Sequence, residues 1–127
     1  MSTGGDFILT KCMDFAVRIV RLRQYLKDEK QEYDISKQLL RSGTSIGANL
    51  TEAQSAISDK DFVSKTTIAL KECRESMYWI ELLYKTDYLD EDGFKSINED
   101  CVELFKLITT ILKTKKANVS QNSDTNQ

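Results

Sequence analysis

Apolar residues recur along this chain at alternating intervals of three and four, the spacing of an α-helix with one dry face. The first such block carries Cys12, Phe15, Ile19, Leu22 and Leu26. Its helix starts near Asp6 or Thr10, either of which can accept a bond from the free amides of a first turn, and it runs out in the charged segment 27–32. The second block begins at Asp34 or Ser36 and continues to about Ile57, with Ile35, Leu39, Gly43, Ile46, Leu50, Ala53 and Ile57 in register. The third begins after a turn at Ile57-Ser58. There Ser58 with Asp61 forms a variant capping box, and Phe62, Thr66, Ala69, Cys73, Ile80 and Leu83 line the inner face as far as Lys85. The fourth is capped by Asp90, with Glu91 and Asp92 in its first turn. Phe94, Ile97, Cys101, Leu104, Phe105, Ile108, Ile111 and Leu112 form its stripe, and Lys113, Lys115 and Lys116 stand at its negative end. Four amphipathic helices joined by short connections predict an all-α antiparallel up-down-up-down four-helix bundle over residues 7–116. Segment 1–6 and the polar segment 117–127 are expected to be disordered.

Two of these helices carry a second stripe. On the back of helix 2 stand Arg41, Ser45, Ala48, Glu52 and Ser55; on the back of helix 3 stand Ile68, Glu72, Glu75, Trp79 and Leu82. At about 100° per residue, the helix 3 positions lie roughly 80–160° from the centre of its inner stripe. A solvent face has no reason to gather Ile, Trp and Leu there, so the stripe predicts an oligomer interface; the alternative is a Trp79 at the edge of the core with scattered exposure around it. Gly43 and Gly47 each cost about 1 kcal/mol relative to alanine inside a helix. Either a close helix–helix approach offsets that cost or Gly43 marks a break in the helix.

Composition narrows the chemistry. Among 127 residues there is no Pro and no His, with 40% hydrophobic and 30% charged residues and a formal net charge of −2. The lack of His removes the commonest metal ligand and the commonest general base near neutral pH. The mild acidity supplies no global field for a polyanion, so any RNA or DNA contact needs a local basic patch. Lys11, Arg18, Arg21 and Tyr25, read as the face of helix 1 opposite the core, are the candidate nucleic-acid residues: three cations and a ring at helical spacing can follow a phosphate backbone. An ordinary solvated face interrupted by Asp14 is the plainer reading of the same residues. Cys12, Cys73 and Cys101 fall within apolar stripes and read as buried core thiols suited to a reducing cytoplasm. No secretion signal and no membrane-length apolar run is present, which predicts a cytoplasmic protein with no membrane partner.

A charged set on helices 2 and 3, Arg41, Glu52, Lys65, Lys71, Glu72 and Glu75, is the remaining constellation. Clustered carboxylates can hold a metal or move protons, but a di-iron bundle needs Glu-x-x-His motifs. The reading that fits better is a set of ion pairs within and between subunits, with Lys71 and Glu75 four apart on one helix and Arg41 taking carboxylate partners. No catalytic residue, cofactor or metal is assigned.

The residues Arg41-Ser-Gly-Thr-Ser-Ile-Gly-Ala-Asn49, Glu52-Ala53, Ser58 with Asp61-Phe62, Lys65, Ala69, Lys71-Glu72, Glu75, Tyr78-Trp79 and Glu81-Leu82 resemble those of the bacterial four-helix-bundle proteins. These are also called ribosomal-RNA intervening-sequence proteins and have been loosely described as ribosomal proteins. The resemblance spans about residues 7–116. It implies a homopentameric ring of bundles around a central channel, with no catalytic residues. It also implies kinship with the accessory variability proteins of diversity-generating retroelements, which are strongly basic and bind nucleic acid and a reverse transcriptase. The expectation is therefore a non-enzymatic ring-forming protein, either a nucleic-acid-associated accessory factor or a protein-interaction scaffold without nucleic-acid binding.

Overall fold

A computed structural model describes residues 4–125 as four helices: α1 (Gly4–Lys30), α2 (Asp34–Gln54), α3 (Asp59–Lys85) and α4 (Glu91–Thr125). Each helix packs against its neighbour in sequence, and α4 returns beside α1. Contacts within each pair run in opposite senses. Gly43 lies against Ile19 while Gly47 lies against Cys12. Arg41 reaches Glu72 while Glu52 reaches Lys65. Tyr84 stacks on Phe94 while Phe62 lies under Lys115, and Lys11 meets Glu103 while Arg18 meets Asp100. Every adjacent pair is thus antiparallel, and the architecture is an all-α four-helix bundle.

The core is built from the stripes. Cys12, Phe15, Ile19 and Leu26 of α1, Leu39, Ile46, Leu50 and Ala53 of α2, Ala69, Cys73, Ile80 and Leu83 of α3, and Ile97, Cys101, Leu104 and Ile108 of α4 are all buried. Gly43 is helical, so no break occurs there. A Cβ built on Gly43 would come 3.0 Å from Ile19 Cγ1, and one on Gly47 3.0 Å from Cys12 Cβ. The two glycines are what let α2 lie this close to α1, and that packing offsets their cost in helix propensity.

The ends of the helices differ in part from expectation. α2 begins at Asp34, as expected, but its first amides are met by a side chain from the preceding turn. The carboxylate of Glu32, only 7% exposed, turns back and accepts from the amides of Asp34, Ile35 and Ser36 at 3.1, 2.9 and 2.6 Å. This places a negative charge at the positive end of the helix. Gln31, at φ 51°, makes the reversal, and the Glu32 amide closes it on Leu26 O at 2.9 Å. At the other end α2 stops at Gln54, short of Ile57, which is 94% exposed. Ser58 then opens α3: its extended backbone lets its hydroxyl accept from Asp61 N at 3.0 Å, as the capping box requires. A Schellman turn closes α3, with Asp87 at φ 69° and Tyr88 N bonded to Leu83 O at 2.9 Å. Asp90 caps α4 as expected, accepting from Gly93 N at 2.7 Å.

α1 begins at Gly4, within the segment expected to be disordered, and α4 continues past Lys116 to Thr125, through most of the polar segment 117–127. Residues 1–3 and 126–127 lie outside the described residues. The polar stretch contains no Gly or Pro to end a helix, and extending an existing helix needs no new nucleation. Poor helix formers such as Asn and Ser are therefore carried along.

Candidate functional site on the outer face of α2 and α3

The widest helix pairing in the bundle, between α2 and α3, is closed inside by the buried Ser42 and Ser76 hydroxyls, bonded to each other at 2.8 Å. Outside it carries the second stripes. Arg41 is the centre of that outer surface. Its guanidinium bonds Glu72 Oε2 at 3.0 Å and also engages Glu75, and the Trp79 indole N–H donates to the same Glu75 oxygen at 3.0 Å. Trp79 packs its ring against the core and meets Tyr78 edge to face at a centroid distance of 5.0 Å. Ser45 donates to Arg41 O at 2.6 Å, and Lys65 reaches Glu52 at 3.4 Å further along. The Trp79 indole, with the Arg41 guanidinium beside it, holds the Glu75 carboxyl below the usual carboxylate range. The bond to Glu75 in turn raises Arg41 above its ordinary value.

The structure thus brings Arg41, Glu72, Glu75 and Trp79 into one network. Lys71 stands apart from it, because Glu75 is engaged by Arg41 and Trp79 rather than by the residue one turn before it. Beside the network, Ile68 is 40% exposed, Ala48 is exposed and Leu82 is half-buried. Trp79 does sit at the edge of the core, packed against it. Among the described residues no cluster of three or more His, Cys, Asp or Glu side chains can hold a metal. No helix among them is long and apolar enough to cross a membrane.

The basic residues of α1 require a correction. Lys11 and Arg18 do not lie opposite the core. They sit on the flank toward α4, where Lys11 bonds Glu103 at 3.1 Å and Arg18 bonds Asp100 at 2.5 Å and Ser96 Oγ at 2.9 Å. α1 and α4 are the least closely packed neighbours, and these ion pairs bridge them. Of the four residues expected on a basic face, Arg21 and Tyr25 alone are exposed without a polar partner among the described residues. The side of α1 that does point outward is apolar: Met13 is 65% exposed, Val17 42% and Val20 39%, and with Ala16, Arg21 and Gln24 they line a shallow groove of about 380 Å³. The signal was present in the spacing of residues 13, 17, 20 and 24, which repeats every three or four positions like any helix face. A second apolar cavity, about 340 Å³, opens at one end of the bundle between Ile8, Leu50, Phe62 and Ile111, with Lys115 at its rim bonded to Asp59 at 2.7 Å.

Residues 7–110 match the family described as 23S rRNA-intervening sequence protein. The chain belongs to this family. A solved structure from Bacteroides thetaiotaomicron VPI-5482, described as a protein with unknown function from the S23 ribosomal protein family, is 48% identical. The match covers 87% of this chain and 99% of that one, with a TM-score of 0.86. No curated protein matches the chain.

Proposed function

We propose that this intervening-sequence family protein acts by binding rather than by catalysis, as a self-assembling ring of helical bundles. The observation that carries this reading is the outer face of α2 and α3. There an Arg41–Glu72–Glu75–Trp79 network, rigid by virtue of its shared bonds, lies beside Ile68, Ala48 and Leu82 in a surface that a solitary bundle would have no use for. Interface centres favour Trp and Arg. The number five comes from the resemblance of the signature helices to ring-forming relatives. Light scattering at micromolar concentration tests the reading: a mass of several chains is expected, falling to one chain for Trp79→Glu. A single-chain mass for the unaltered protein would remove it.

Such an assembly serves as a scaffold that presents a repeated face to a partner protein. Nucleic-acid association is a second reading, favoured by Arg21 and Tyr25, which stay exposed and uncommitted and would be repeated around a ring. Its mark is retention on an RNA or DNA column that weakens with salt and with Arg21→Glu.

A further inference from the structure

The inner stripes leave the bundle open at the end where α2 stops. The cavity of about 340 Å³ there draws on all four helices: Ile8 and Leu50, both buried, form its floor, and Phe62 and Ile111, half-buried, form its walls. The periodicity of α2 puts Ile57 next in line to cover this end. Ile57 instead stands beyond the helix, 94% exposed, and does not fill the space. We infer that the cavity is a binding site for a small uncharged molecule with an apolar body and a single hydroxyl. The inference goes beyond self-assembly and does not depend on it.

Three features select that chemistry. The first is size and lining. The volume falls within the roughly 300–1,000 Å³ of small-molecule sites, which are mostly apolar with a few placed polar groups. Water held against Ile8, Leu50, Phe62 and Ile111 finds few partners, and an apolar group that displaces it gains affinity. The second is charge. Among the described residues lining the cavity, only Lys115 is charged. Asp59 neutralises it at 2.7 Å, and its ammonium lies 5.3 Å from the centre of the Phe62 ring. A charged ligand would leave water for apolar walls with Lys115 and Asp59 already paired to each other, so nothing offsets its desolvation. The third is the polar rim. The Gln54 amide and the Thr114 hydroxyl have no bond among the described residues, whereas Thr110 on the same rim donates to Lys106 O at 3.0 Å. Gln54 lies against α1 where Gly5 has no side chain: a Cβ there would come 2.5 Å from Gln54 Oε1. An amide and a hydroxyl can each donate and accept, which suits a hydroxyl on the ligand.

Octanol and octanoate, which share an apolar chain and differ in charge, are the probes, with binding read by ligand-observed NMR titration of the full chain. Octanol is expected to saturate at one molecule per chain, and octanoate to bind weaker by about tenfold or more, the cost of burying a carboxylate without a free counter-charge. Thr114→Trp places a large ring at the mouth and is expected to abolish saturable octanol binding. Gln54→Leu removes the rim amide and is expected to weaken octanol several-fold. Both positions are exposed, and circular dichroism verifies that the helices survive. Absence of saturable octanol binding to the unaltered protein overturns the inference. So does octanol binding that neither variant changes, which would place it elsewhere on the bundle, and so does octanoate binding as tightly as octanol. Light scattering on the same samples reads assembly separately, so none of these results decides whether the chain forms a ring.

Discussion

Cys73 and Cys101 face each other across the α3–α4 contact with sulfurs 3.8 Å apart, each thiol within reach of the other's backbone carbonyl at 3.4 and 3.5 Å. The Cys73 thiol and burial push the Cys101 thiol well above its ordinary range, and burial with Cys73 nearby pushes Cys12 from 9.0 up to about 12. These are protonated, inert thiols, as their place in the apolar stripes implied. Alkylation with iodoacetamide at pH 8 is expected to leave the folded protein unlabelled and to modify all three cysteines once it is denatured. The same shifts give stability a direction with pH. Below 9.0 both states hold the Cys12 proton and its contribution is complete. Above that, the unfolded chain releases a proton the folded one keeps, so stability falls as pH rises toward about 12, by about 1.4 kcal/mol per unit for a single thiol. Urea midpoints at pH 8 and pH 10.5 measure the loss, and Cys12→Ala is expected to make that loss smaller. Elsewhere in the core, the hydroxyl of Thr66 is buried without a partner among the described residues. Its side chain stands in the inner stripe of α3 for its volume, and nothing in the periodicity distinguished it from an apolar residue of similar size.

Helix contacts set the tolerance of the elements to change. Replacing Gly47 with Ala ordinarily adds about 1 kcal/mol of helix propensity. Here the new methyl would lie 3.0 Å from Cys12 Cβ, an atom fixed to the α1 backbone that cannot rotate away. Gly47→Ala is therefore expected to destabilise by about 1–2 kcal/mol, the range for overpacking, read from the shift in urea midpoint at constant slope. A gain in stability would mean that α1 yields easily. The existence of all four helices, their inner stripes and the caps at Ser58 and Asp90 were legible because each rests on residues close in sequence. Glu32 was not. It reads as one more charge in a charged connector, and its role as the cap of α2 depends on the left-handed Gln31 turning it back over the helix end. The length of α4 also escaped, because composition signals weak helix propensity but carries no stop.

At the scale of the whole molecule, charge is distributed by pairing rather than by sign. Lys11 and Arg18 are spent on Glu103 and Asp100, so the flank of α1 that looks basic along the sequence is locally balanced. Removing those acids should uncover it. The double variant Asp100→Asn with Glu103→Gln is expected to elute from heparin at distinctly higher salt than the unaltered protein, since each uncovered cation adds to the electrostatic attraction for a polyanion. Unchanged elution would mean that the exposed ion pairs screen little, as surface pairs often do.

Helical periodicity carried the bundle, the buried thiols and the two-sided character of α2 and α3, because those follow from which residues recur every third or fourth position along a single chain. It also placed Arg41, Glu72, Glu75 and Trp79 on related faces. Their union in one network, the capture of Glu75 by Arg41 and Trp79 instead of Lys71, and the masking of Lys11 and Arg18 arose from the packing of helices distant in sequence. A periodic pattern states the side of a helix on which a charge stands. The partner it meets is set by the neighbouring helix laid against that side, and with it whether the charge is available to anything else.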